Sequence, residues 1–253
     1  MELAHYLALG DSVSIDLYPA LDAGETDVAV ALERLPDAGA VAPLGAASLL
    51  FRNDDARWPE FMGRDLVSTR PHIRHTNLAQ DGATIGDVFG DQLSMMEPSD
   101  EPTFVTLTIG GNDLLSTYAA RPSTRVFAAA VRDIADAYDV LVERIREAFP
   151  RLILLLSTVY DPTDRSARMP GVFDTEGPLP LHHLDALNAR IRAAAGAAPE
   201  TRLAEVYGHF LGHGVSVDEG ERWYWRRSII EPSAMGASEV RRVWWDVLER
   251  EEV

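Results

Sequence analysis

Phe104-Val105-Thr106-Leu107-Thr108-Ile109-Gly110-Gly111-Asn112-Asp113 reads as a buried strand that runs into a two-glycine turn carrying an amide and a carboxyl. A short, mostly apolar run stopped by glycine suits the centre of a parallel sheet, where both faces are covered. The pattern recurs on either side. Leu152 to Leu156 is wholly apolar, Tyr6-Leu7-Ala8-Leu9 ends at Gly10, and weaker strands are expected near Ile73-Arg74-His75 and at Leu203 to Val206. Between the third and fourth strands, Phe127, Val131, Ile134, Tyr138, Leu141, Ile145 and Ala148 step by four and three, which predicts one long helix capped by Ser123 or Thr124 and stopped by Pro150. Further helices are expected around Leu184, Leu187 and Ile191, and from about Ser233 to Leu248. Strands alternating with helices predict an α/β fold with a central, mostly parallel five-stranded sheet.

The chain has 253 residues and a net charge of −17, and 46% of it is hydrophobic, which fits one domain over 1–253 with an insertion at about 15–66. That insertion reads equally as a lid or as a packed excursion. There is no cysteine and no lysine, so every fixed basic charge is an arginine. Disulfides, thiolate nucleophiles and cysteine-ligated metals are excluded, as are a Walker phosphate loop and a lysine Schiff base. The acidic excess argues against nucleic acid or an anionic membrane as partner. The amino terminus lacks a signal-peptide pattern and no stretch is long enough for a membrane span, so a cytoplasmic location is expected. Composition leaves the oligomeric state open.

In a parallel sheet, the turns at the carboxyl ends of the strands share one edge, where ligands sit. Three candidates fall there. Gly10-Asp11-Ser12 puts a hydroxyl at the end of the first strand, although a lone Asp-Ser is more often a helix cap. Gly82 follows the second strand and offers a bare backbone N–H. Asn112 follows the third and offers an amide. Together they make a nucleophile with an oxyanion hole.

Here the sequence resembles the GDSL, or SGNH, hydrolase family, at the Gly-Asp-Ser turn, the lone Gly82 and Gly110-Gly111-Asn112-Asp113, in family order. The resemblance implies a flavodoxin-like three-layer sandwich. It also implies hydrolysis of an ester, thioester or acetyl group on a small molecule through an acyl-serine, without a cofactor or metal. Ser12 would attack, while its own N–H, Gly82 N–H and the Asn112 side chain hold the oxyanion. No Gly-x-Ser-x-Gly elbow occurs, which speaks against the other common serine-hydrolase fold.

The fourth family block, Asp-x-x-His-Pro-Ser-x-x-Gly, is matched at Ser228-Ile229-Ile230-Glu231-Pro232-Ser233-Ala234-Met235-Gly236 except at its two catalytic positions. Ser228 stands for the aspartate and Glu231 for the histidine. An ordinary carboxylate is a poor base for a serine hydroxyl unless burial raises its pKa. Three readings stay open: His213, between two glycines, swings to Ser12 and Glu231 orients it; Glu231 acts alone; or the protein binds ligand without turnover. His209 and His213 have the spacing of helical metal ligands, but Gly212 argues against that helix. His182 and His183 are expected at the surface, and His72 and His75 are expected to pack or lie exposed. Trp223-Tyr224-Trp225 reads equally as acyl pocket or core, Trp244-Trp245 more as core, and Tyr160-Asp161-Pro162 as a turn on the ligand edge.

Overall fold

The structure is a computed structural model and describes residues 2–32, 42–96, 99–169 and 178–250. Five parallel strands, β1 (His5–Gly10), β2 (Arg74–Asn77), β3 (Thr103–Thr108), β4 (Leu152–Ser157) and β5 (Thr201–Ala204), pair in the order β2-β1-β3-β4-β5. That is the flavodoxin-like order, with its topological switch between β1 and β3. The register runs from His5 opposite Thr103 to Gly10 opposite Thr108, so the two strand ends that carry the Ser12 and Asn112 turns lie side by side. The fifth strand begins two residues earlier than the apolar run suggested, because Val206 already starts a helix.

The helices are α1 (Leu17–Asp22), α2 (Val28–Leu32), α3 (Ala46–Phe51), α4 (Leu66–Thr69), α5 (Ile85–Asp87), α6 (Gly111–Ala119), α7 (Thr124–Ala148), α8 (His182–Ala195), α9 (Val206–Phe210) and α10 (Ala234–Glu249). Strand alternation sorts them into two outer layers. Leu7, Leu9, Val105 and Leu154 pack with Val131, Leu141 and Ile145 of α7 and Leu187 and Ile191 of α8. On the other face, Tyr6, Ala8, Phe104 and Leu155 meet Ala47 and Leu50 of α3 and Val240 and Trp244 of α10. The Trp244 indole also donates to Ser157 Oγ at 2.8 Å, which seats the last helix under β4.

The long helix α7 has Ser123 as its cap, with Oγ accepting from Val126 N. The segment expected as an insertion holds α1 to α3, and α3 is part of the core; residues 33–41 lie outside the described residues. Its anchor is the buried Asp16, whose Oδ1 accepts from Leu44 N at 2.7 Å and Gly45 N at 2.9 Å while Oδ2 accepts from Ser48 Oγ. A buried carboxylate holding three donors pins α3 beside the Ser12 turn.

The sequence reading also missed a two-stranded antiparallel hairpin, β6 (Tyr224–Trp225) and β7 (Ser228–Pro232), outside the main sheet. No helix among the described residues is long and apolar enough to cross a membrane.

Candidate active site

Ser12 opens a short 3-10 turn, Ser12–Ser14, capped by Asp11, whose carboxylate accepts from Val13 N at 3.2 Å. Asp11 thus does what a cap does, yet both it and Ser12 line a cavity of about 130 Å³ at the carboxyl edge of the sheet. Gly10 is fixed from two sides. The buried Gln92 side chain donates to Gly10 O at 2.8 Å and accepts from Gly10 N at 2.9 Å, and a Cβ on Gly10 would lie 1.9 Å from Thr108 O. With a φ of +127°, this position takes only glycine.

Gly82 occupies a turn at φ +71°, and a Cβ there would meet nothing within 4 Å, so backbone conformation rather than crowding calls for glycine. Thr84 then caps α5 in a capping box with Asp87. Asn112 donates from Nδ2 to Ala83 O at 2.9 Å, and Asp113 accepts from Ile85 N, so two bonds clamp the start of α6 to the Gly82 turn. Asn112 lines the same cavity as Ser12.

Glu231 lies in β7 and also lines the cavity. The Tyr160 hydroxyl donates to Ile230 O at 2.7 Å, and Gly236 admits Trp223 O so closely that a Cβ would sit 1.9 Å from it. The Ser-x-x-Gly of the fourth block is therefore structural: Ser233 caps α10 by accepting from Gly236 N, and Gly236 lets the hairpin pass. Burial pushes the Glu231 carboxyl up to about 7, the polar Ser12 side chain opposing the shift and Asp81 and Asp11 adding repulsion. Asp11 is likewise pushed up to about 7, chiefly by burial. These carboxyls titrate near neutrality, the range useful to a general base.

The structure does not bring His213 to this cavity. Its ring stacks on Trp223 with centroids 3.5 Å apart and planes 6° apart. The flanking glycines serve that fixed turn: Gly212 has a φ of +89°, and Gly214 passes so close to Pro162 that a Cβ would be 2.2 Å from its carbonyl oxygen. Asp164 accepts from the backbone N–H groups of Gly212, Gly214 and Ser216 and locks the turn. His209 is occupied elsewhere, its Nε2 2.8 Å from Glu239 Oε2. Among the described residues no group of three His, Asp or Glu side chains is placed to hold a metal.

His183 departs from its expected surface position. It is 7% exposed and lines the cavity, tilted against Phe127 at 4.4 Å. Burial and the neighbouring His182 lower its pKa, so it is a neutral imidazole at neutral pH. The sequence signal was its spacing of one from Leu184 and four from Leu187 on a helix, which puts it at the border of the apolar face. The rest of the cavity wall is largely apolar, with Ile109, Leu114, Phe127, Val159 and Leu184 as examples. None of Trp223, Tyr224 and Trp225 lines it, whereas Tyr160, Asp161 and Pro162 all do.

The GDSL-like lipase/acylhydrolase family model matches residues 8–236. No curated protein sequence matches the chain. The fold resembles a variant of Axe2, an acetyl xylan esterase from Geobacillus stearothermophilus, with a TM-score of 0.61 at 16% identity over 98% of this chain and 97% of that one. It resembles LAE5, an alpha/beta hydrolase from the metagenome of Lake Arreo, with a TM-score of 0.59 at 18% identity over 97% and 95%. An extracellular lipase from Streptomyces rimosus gives 0.52 at 19% identity over 96% and 99%. At these identities the structures speak for the fold, and the family match speaks for descent: the chain belongs to the GDSL-like lipase/acylhydrolase family.

Proposed function

We propose that this protein is a serine hydrolase of carboxylic ester-like bonds that uses a Ser12–Glu231 pair in place of a serine–histidine pair. The observation that carries the reading is that the buried Glu231 lines the same cavity as Ser12 and Asn112, and burial, which pushes its carboxyl up to about 7, supports it as a base. In its ionised form Glu231 takes the Ser12 proton as Oγ attacks the substrate carbonyl carbon. The oxyanion is held by Ser12 N–H, Gly82 N–H and the Asn112 amide. Collapse of the intermediate expels the alkoxide, which takes the proton from Glu231, and leaves an acyl-serine. Water then attacks that ester, Glu231 accepting its proton and returning it to Ser12 Oγ, and the carboxylic acid is released. The apolar cavity beside Ser12 suits the acyl group.

The test is hydrolysis of p-nitrophenyl butyrate by the wild type and by Ser12→Ala under the same conditions. Loss of activity in the variant is expected, and equal activity refutes the acyl-serine. If neither protein hydrolyses p-nitrophenyl esters of short to medium chain, the second reading takes over, a binding protein that kept the cavity; what favours it is the replacement of histidine by Glu231.

A further inference from the structure

The cavity beside Ser12 reaches both outer layers of the fold. Tyr160 and Val206 line it from the core on the α3 and α10 side of the sheet, and Phe127 and Leu184 line it from the core on the α7 and α8 side. Glu231 goes with the first side, because the Tyr160 hydroxyl holds the carbonyl of its neighbour Ile230. His183 goes with the second. Its ring centroid lies 4.4 Å from that of Phe127 and 4.0 Å from that of His182, so two rings fix its place on the cavity wall. The side chain is buried, yet among the described residues neither ring nitrogen has a hydrogen bond and neither is sealed from water.

A wall that only packed against hydrocarbon would be served by leucine or phenylalanine at this position. A neutral imidazole instead brings one N–H donor and one ring-nitrogen acceptor, and a polar group in an apolar cavity is costly unless something bonds to it. Cavities of about 150 Å³ take one molecule the size of benzene, so this one, at about 130 Å³, has room for roughly six carbon-sized groups. An acyl chain of that size, with its carbonyl at Ser12, fills the cavity and ends against the wall made by Phe127 and His183, away from Glu231.

We propose that His183 sets the specificity for the acyl group: the substrate is an ester whose acyl chain carries a neutral oxygen, hydroxyl or ketone, near its far end, and that oxygen bonds to the His183 ring. A hydroxyl donates to the unprotonated ring nitrogen, and a ketone accepts from the ring N–H. The inference rests on the hydrolase reading for placing the acyl chain in the cavity, but the bond to His183 does not depend on turnover.

The test pairs p-nitrophenyl 5-oxohexanoate with its apolar isostere, p-nitrophenyl 5-methylhexanoate. Hydrolysis is measured with the wild type, His183→Leu and His183→Gln, and binding by calorimetry with Ser12→Ala and with the same protein carrying His183→Leu. A purely apolar cavity would disfavour the ketone. The wild type should instead show a kcat/KM about tenfold higher for the oxo ester, and His183→Leu should abolish that ratio. His183→Gln, which keeps a neutral donor and acceptor, should retain part of it; should His183→Leu fail to fold, the wild-type ratio and the glutamine variant decide. Equal rates for the two esters, preference for the methyl ester, or a ratio that survives His183→Leu overturns the inference and leaves the hydrolase reading standing. Selective binding of the oxo ester that His183→Leu removes, without hydrolysis of either ester, sustains the inference and defeats the hydrolase reading. Binding of neither ester overturns it.

Discussion

The Tyr160 hydroxyl, just beyond the end of β4, donates to the carbonyl of Ile230 at 2.7 Å and so suspends the strand that presents Glu231 from the main sheet. Its ring is locked by a stack on Phe210 and an edge contact with Tyr224, both at 5.1 Å. Tyr160→Phe keeps that packing and removes the bond. The expected result is a loss of about 1–3 kcal/mol in stability by urea unfolding. Misplacement of Glu231 should also lower kcat by about tenfold with KM little changed. A change in KM alone would show that the bond serves binding, not alignment.

Glu231→Gln keeps the shape of the side chain and removes the proton acceptor. The proposed mechanism expects kcat to fall by roughly a hundredfold or more, and KM far less. In the wild type, kcat for an uncharged ester should rise with pH through a midpoint near 7, because only the ionised carboxyl accepts the Ser12 proton. A flat profile between pH 5 and 8, or unchanged turnover in the variant, removes Glu231 from the reaction.

The same two carboxyls make stability depend on pH in the less usual direction. Glu231 is raised from 4.5 to about 7 and Asp11 from 3.8 to about 7, so between these values the folded chain holds protons that the unfolded chain has released. Their contribution is fully present below pH about 4 and is lost as pH rises through 7. Each accounts for roughly 3–4 kcal/mol across that range. Chemical unfolding at pH 5 and pH 8 should show Asp11→Asn and Glu231→Gln each flattening the decline, whereas an unaltered slope would mean that these groups ionise normally.

His213→Ala should leave ester hydrolysis within about twofold of wild type, since the ring stacks on Trp223 outside the cavity. Losing the stack costs about 1 kcal/mol of stability. A large loss of kcat with the fold intact would instead return His213 to the mechanism and require the Asp164-held turn to open.

Gly10→Ala should prevent folding or cost more than about 3 kcal/mol, from the combined backbone strain and the clash with Thr108 O. Thermal unfolding of the variant measures this, and a small shift in Tm would mean that β1 and β3 can separate at their ends.

The sheet was legible because Leu152–Leu156 and the run before Gly110 are buried on both faces, and burial leaves a continuous apolar signature. That Ser12 and Asn112 share one edge of the sheet was legible because each stands within four residues of a strand end, whereas Gly82 stands five past the end of β2 and is not among the residues that line the cavity. The hairpin was not: β6 has only two residues, and β7 ends in Glu-Pro, which argues locally against a strand. The glycines around His213 were read as freedom to swing, but they answer to a left-handed turn and a close pass by Pro162, which only tertiary contacts reveal. His183 was masked by His182, since adjacent helical positions face different surroundings and a pair gives no hint which is buried.

An isolated two-stranded hairpin is marginal in water, so β6–β7 depends on α10 and Tyr160 to hold it in place. A partly folded chain with its parallel sheet complete but this hairpin unformed would have Ser12 and Asn112 in position and no Glu231 beside them. During refolding, recovery of activity should therefore lag behind recovery of the sheet, so enzyme assays would time the closing step of folding and circular dichroism the earlier ones.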